Sequence, residues 1–161
     1  MLKTRYIYVL FTLAVYSFSY SSSIIKTNNY LGFIHNKGQF KNQSSNCVDN
    51  VLFKANLKNY NVWITRHGIS YQFYQNKNGT IVWNMMDMNL TGAIISRNNF
   101  KVSDSSKHYE NYICGDGSVY QIHRYKTIIF KNIYPGIDWK LFFDEDNLKQ
   151  EFIVYPYADK N

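Results

Sequence analysis

Apolar side chains recur at every second position over long stretches of this chain, and that period constrains the fold more than any other feature. Tyr60, Val62 and Ile64 alternate with Asn61, Trp63 and Thr65; Arg66-His67-Gly68 interrupts; then Ile69, Tyr71 and Phe73 alternate with Ser70, Gln72 and Tyr74. A period of two lines one face of a strand, so these residues predict a hairpin, and a three-residue loop ending in Gly68 suits a type I turn closed by a bulge. The turn Gln75-Asn76-Lys77-Asn78-Gly79 leads to a third strand over Thr80 to Leu90, with looser alternation of Val82, Met86, Met88 and Leu90. Met85, Met86 and Met88 are expected to fill irregular core space, the commoner use of methionine.

After a polar stretch from Ser96 to Lys107, pattern returns over Val119 to Lys131. Ile137, Trp139, Leu141 and Phe143 then oppose Asp138 and Lys140, and the turn Asp144-Glu145-Asp146-Asn147 joins them to Leu148 to Tyr155 in a second hairpin. No segment reads as an amphipathic helix and no repeat has a fixed period. An aromatic share of 18% and two prolines in 161 residues fit half-buried pleated surfaces. The expectation is an all-β chain, an antiparallel β-sandwich of roughly seven short strands, incomplete at its C-terminus.

Lys3 and Arg5 precede the apolar run Tyr6 to Tyr16, and Ser17 to Ser23 is rich in small residues. This is the pattern of a secretory signal peptide over residues 1–21, and the run is shorter than the ~20 residues of a membrane span. Residues 22–161 are then a single β-rich domain whose mature start lies between Tyr20 and Ile24. The nearest cysteine is Cys47, so no lipid anchor is expected, and the location is secreted or cell-surface. Export permits a disulfide between Cys47 and Cys114, which would stabilise by roughly 4 kcal/mol in the chain-entropy account.

The net charge of +7 is uneven, since residues 24–103 hold nine Lys/Arg against two Asp while residues 104–161 hold seven against nine acids. The lysines stand singly, which argues against nucleic acid as a partner. His35, His67, His108 and His123 are dispersed, so no zinc site or other cofactor is expected. Asp144-Glu145-Asp146-Asn147 opens like a calcium loop, but Leu148 stands where a ligand is needed and Lys149 where the sharp turn wants Gly. Carboxylate pairs for glycoside hydrolysis can be drawn from Asp138, Glu145 and Glu151, with nothing to separate their pKa values. Gly115-Asp116-Gly117-Ser118 reads as a loop, since a nucleophile elbow needs a strand-to-helix turn.

Two ordered motifs carry more information. Near the mature start stands Phe33-Ile34-His35-Asn36-Lys37-Gly38-Gln39-Phe40, and near the end Tyr125 to Asp138, containing Tyr134-Pro135-Gly136-Ile137-Asp138. With Val51 to Ala55, Asn111 to Gly115 and Leu148 to Val154, they resemble the N-terminal β-rich domain of secreted surface proteins, mostly from Bacteroidota. There that domain often precedes SBBP-type β-propeller repeats, and it has no assigned activity. The resemblance spans about residues 31–159, with departures at His35 (usually Glu), Phe40 (usually Trp) and Pro156 to Lys160. It implies further strands after residue 161, which would make this chain a truncated copy. Asn36, Gly38, Gln39, Tyr134, Pro135, Gly136 and Asp138 are read as turn architecture, with Pro135 fixing φ and Gly136 accepting positive φ.

Three function classes follow. The first is an exported, non-enzymatic surface or structural module, partnered by other surface proteins or by nothing yet defined. The second is a glycan-binding module with Trp63 and Trp83 as stacking platforms, and the third a secreted hydrolase. The strand Leu148 to Tyr155, rich in Phe152, Ile153 and Val154, is expected to leave an exposed edge through which the chain self-associates.

Overall fold

A computed structural model describes residues 30–40, 50–114 and 117–158. They form nine strands: β1 (Phe33–His35), β2 (Val51–Asn56), β3 (Tyr60–Thr65), β4 (Gly68–Lys77), β5 (Thr80–Asn89), β6 (Phe100–Cys114), β7 (Gly117–Tyr134), β8 (Ile137–Asp144) and β9 (Asn147–Val154). The leader and Cys47 lie outside the described residues, as does the side chain of Cys114, so the leader and the disulfide expectation fall there too.

The all-β, antiparallel expectation holds, and every pairing is antiparallel. All nine strands belong to one sheet in the order β5-β4-β3-β2-β1-β7-β8-β9, with β6 on the other edge of β7. The sheet curls into a half-barrel, so a single folded-over sheet supplies both layers of the expected sandwich. Tyr125 pairs with Phe33 of β1 and with Ser105 of β6, while Thr127 pairs with Phe142 of β8 and with Ser103. A strand has only two edges, so β1 and β8 share one edge of β7 end to end. The sheet therefore forks at β7 into two arms.

The core lies between the arms. Phe53 of β2 meets Phe100 and Phe130 edge-on at centroid distances of 4.9 and 6.2 Å, and Phe33 meets Phe143 at 4.7 Å. Leu52, Ala55, Val62, Ile64, Ile128, Ile133, Trp139 and Leu141 are fully buried around them. Gln150 Nε2 on β9 donates to Met88 Sδ on β5 at 3.5 Å, which brings the two ends of the sheet together.

Nine strands replace the roughly seven expected, because β1 is short and because β6 runs through the polar stretch that shows no apolar period. Phe100 and Val102 alone anchor the start of β6 in the core, and most of its remaining side chains face solvent. Around Gly68 the connection is tighter than a free loop requires. A Cβ there would sit 2.0 Å from the Met88 carbonyl oxygen, so the close approach of β5 demands glycine. Thr65 Oγ1 accepts from His67 N at 3.1 Å, which places His67 in the turn.

Candidate functional site

The first motif is a closed hydrogen-bond network. Asn36 is fully buried; its Oδ1 accepts from Gly38 N at 3.0 Å and Phe40 N at 3.2 Å, and its Nδ2 donates to Val51 O at 3.0 Å. Gln39 Nε2 donates to His35 O at 2.6 Å while its Oε1 accepts from Lys37 N at 2.7 Å. Gly38 takes φ 111° at the apex. These side chains satisfy backbone that a three-residue strand leaves unpaired.

The second motif does the same for a bulge. The β7–β8 register shifts between Phe130 and Tyr134, and Asn132 is held at φ 49°. Asp138, 1% exposed, fills the gap: Oδ1 accepts from Asn132 N at 2.8 Å, and Oδ2 accepts from Lys131 Nζ at 2.6 Å and the Tyr155 hydroxyl at 3.0 Å. Burial alone would raise its pKa, but the Lys131 ammonium, the Asn132 N–H and the Tyr155 hydroxyl together hold it below the usual carboxylate range.

Both motifs grip one segment, the connection from Leu90 to Asn99 that carries the chain from the end of β5 to β6. Arg97 Nη1 donates to Asn36 O at 2.8 Å. Ile94 N donates to Ile133 O at 2.7 Å, the Tyr134 hydroxyl to Thr91 O at 2.8 Å, and Lys131 N to Asn99 O at 2.6 Å. Two turns far apart in sequence thus fasten the crossover between the arms.

A cationic and aromatic row crosses the outer face. The registers align Arg124, Ile34, Lys54, Trp63, Ser70 and Asp87 on adjacent strands. Lys54 Nζ stands 4.4 Å from the Trp63 ring centre and 5.4 Å from that of Phe40, which itself packs edge-on against Trp63 and Tyr112. Burial, with Arg124 adding repulsion, lowers the Lys54 pKa. Arg124 Nε meets Glu110 Oε1 at 2.5 Å and the Tyr112 hydroxyl donates to Glu110 Oε2 at 2.7 Å. Burial opposes ionisation of Glu110, and those two hydrogen bonds outweigh it and lower its pKa. Its partner Tyr112 is pushed up by burial and by the bond to Glu110.

Trp63 and Trp83 share the outer face but not their surroundings. Trp63 is half-buried beneath Lys54, its Nε1 donating to Gln72 Oε1 at 3.3 Å, whereas Trp83 is 59% exposed opposite Tyr74 on the β4–β5 hairpin. Met85 and Met86 are likewise exposed, against the expectation that they fill core; only Met88 packs against it. The tip of the hairpin, with Trp83, runs out beyond β3, which pairs with β4 only from Tyr60 to Ile64, whereas Met85 and Met86 stand opposite Gln72 and Tyr71 on the end strand of the sheet, which has no further strand beside it among the described residues.

The remaining candidates carry little chemistry. Asp144-Glu145-Asp146-Asn147 is a hairpin tip whose Asp144 pairs with Lys149, and no group of three metal-ligating side chains forms among the described residues. Of the carboxylates considered for hydrolysis, Asp138 is spent on the bulge and Glu151 pairs with Lys140 at 3.1 Å. Gly115 and Asp116 lie outside the described residues, and Gly117-Ser118 begins β7. A groove of about 550 Å³ between Tyr30, Lys107, His108, Lys126, Glu145 and Asp146 mixes both signs of charge.

A family model described as a domain of unknown function, DUF7948, matches residues 33–161, which is most of the chain and takes in both motifs. The chain belongs to the DUF7948 family. No curated protein and no solved structure matches it. The DUF7948 match begins at Phe33, the first residue of β1, so it contains every strand described here. Within the DUF7948 domain the inward placement of His35 was not foreseen from the sequence. His35 lies on the inner face opposite Phe53, its ring 4.9 Å from Phe53 and 5.1 Å from Phe100, and its buried Nε2 has no hydrogen-bond partner. Burial, reinforced by Arg97 and Lys37, lowers its pKa to about 4. The signal was present in the alternation of Phe33 with His35, which puts both on the core side.

Proposed function

We propose that this DUF7948 domain is an exported, non-enzymatic module of the cell surface that positions neighbouring domains, such as the repeat modules that follow the domain it resembles. One observation carries the reading: the polar side chains Asn36, Gln39 and Asp138 are consumed in bonding the backbone of their own turn and bulge, and the turns they hold fasten the crossover between the arms, so both motifs build a scaffold. The signal-peptide pattern of residues 1–21 supports export.

A second reading, binding of a glycan, is favoured by Trp83 and Tyr74. Both rings are exposed on the outer face, and the Tyr74 hydroxyl is anchored on Lys58 O at 3.0 Å, so that ring is already fixed for stacking. One experiment separates the readings. The whole chain is expressed in a secreting bacterial host, its exported form is weighed by mass spectrometry, and the same material is applied to a glycan array. The scaffold reading expects an N-terminus between Tyr20 and Ile24 and no saturable binding. Soluble material that retains Met1 to Ser19 contradicts export, and saturable binding lost in Trp83→Ala with unchanged folding replaces the scaffold reading by the second.

A further inference from the structure

The β4–β5 hairpin has an open edge and two apolar faces. Asn78 and Gly79 take φ 52° and 83°, the left-handed pair of a two-residue type I′ turn, and pairing runs without a break from Lys77↔Thr80 to Gly68↔Asn89. In such a hairpin the closing pair exchanges both backbone bonds, so Thr80, Val82, Asn84, Met86 and Met88 bond to β4. Ile81, Trp83, Met85 and Asp87 therefore turn their N–H and C=O groups outward. β5 is the end strand of the sheet, and nothing among the described residues continues it. Ile81 is 68%, Trp83 59% and Met85 47% exposed on one face, with Met86 53% and Val82 40% exposed on the other.

Edges of this kind are ordinarily guarded by Lys, Pro or a bulge. β5 has none of these and a single charge, Asp87. β9, the edge expected from sequence to self-associate, is better protected: Lys149 and Glu151 stand within it and pair with Asp144 and Lys140, and three acids crowd the tip before it.

We propose that β5 is a homodimerisation edge, pairing antiparallel with β5 of a second copy about a two-fold axis at Asn84. The occupant follows from the strand's own pattern. With Asn84 opposite Asn84, Trp83 lies across from Met85 of the other copy and Val82 across from Met86, so apolar meets apolar on both faces, and sulfur meets an indole ring. Ile81, Trp83, Met85 and Asp87 of each copy exchange backbone bonds with Asp87, Met85, Trp83 and Ile81 of the other, which satisfies every outward group from Ile81 to Asp87. The two Asp87 side chains end up roughly 20 Å apart at 3.4 Å per residue, so the only charges do not oppose one another. Ten residues a side is fewer than the about 20–30 of a standard interface, which makes this a weak, reversible contact.

Sedimentation velocity on the purified chain, from about 1 to about 300 µM, tests the association. A reversible monomer–dimer equilibrium is expected. Met85→Pro removes an outward N–H without touching the β4 ladder, so it should weaken the dimer at least tenfold while far-UV dichroism and the unfolding midpoint hold; Phe152→Pro, on the outward side of β9, should leave dimerisation intact. The register is tested with Asn84→Cys after Cys47→Ser and Cys114→Ser: opposed Cα atoms about 4.5 Å apart in a non-hydrogen-bonded pair oxidise to a covalent dimer. A monomer at every concentration, a dimer abolished by Phe152→Pro and kept by Met85→Pro, or no crosslink from Asn84→Cys within a confirmed dimer each overturns the proposal.

Discussion

Gly136→Val should cost about 4 kcal/mol of folding free energy, the largest effect of any single substitution considered for this chain. Gly136 takes φ 72° in the Tyr134-Pro135-Gly136-Ile137 turn, where a β-branched residue is strained by roughly 1–3 kcal/mol. Space is the second term. A Cβ at this position would sit 2.8 Å from Ala158 Cα, 2.9 Å from Ala158 Cβ and 3.0 Å from Tyr157 Cε2, and backbone is among the atoms that would have to move. Overpacking of that kind costs roughly another 1–3 kcal/mol. The displaced segment is itself tied in, because Tyr155 N donates to Gly136 O at 2.9 Å. Gly79, at φ 83° with nothing within 4 Å of its missing Cβ, is the internal control: Gly79→Val carries the strain without the overpacking and should cost only about 1–3 kcal/mol. Denaturant unfolding measures both, and equal effects at the two glycines would mean that the contact with Ala158 is not made.

Acid should weaken the fold well before its carboxylates titrate. His35 is neutral in the folded chain with its pKa lowered to about 4, against 6.5 for a free histidine, because burial between Phe53 and Phe100 disfavours the imidazolium. The unfolded chain binds a proton below pH 6.5 and the folded chain does not, so the stability present above that pH is lost as pH falls from 6.5 to 4 and is constant below. A separation of 2.5 pKa units corresponds to about 3 kcal/mol. Asp138 acts in the same direction lower down: its depressed pKa contributes stability above the ordinary carboxylate range that disappears as it protonates. His35→Phe should flatten unfolding free energy between pH 6.5 and 4 and leave the steeper fall below it. A slope unchanged in His35→Phe would assign the acid sensitivity elsewhere.

The parts of the fold that sequence made legible are those where neighbours in the chain are neighbours in space. Tyr60 to Phe73 and Ile137 to Val154 pair as read, because a two-residue period and a short turn fix a hairpin without help from the rest of the chain. β6 was hidden: Ser103, Asp104, Ser105 and Lys107 follow its two core anchors, and a strand that faces water on most positions has no apolar period. The looseness of Thr80 to Leu90 had a physical cause, since both faces of β5 are exposed and neither was selected for the core alone.

The site depended on long-range pairing. Arg124, Lys54 and Trp63 meet because three residues of β1 bridge β2 to β7, and nothing local in the sequence of Phe33-Ile34-His35 announces that bridge. The two tryptophans look alike in sequence, yet Lys54 covers one and leaves the other open. By contrast, the turn roles of Asn36, Gln39 and Asp138 were legible, since Asn, Gln and Asp beside Gly and Pro have few other uses than bonding local backbone.

The central claim is that these motif residues serve the fold, and urea unfolding of Asp138→Ala tests it most directly. Removing the carboxylate leaves the Asn132 N–H, the Lys131 ammonium and the Tyr155 hydroxyl without their acceptor beneath a bulge. The expected loss is about 3 kcal/mol, the usual cost of breaking a buried charged hydrogen-bond network. Unchanged stability would contradict the account and return Asp138 to the pool of residues held for a ligand.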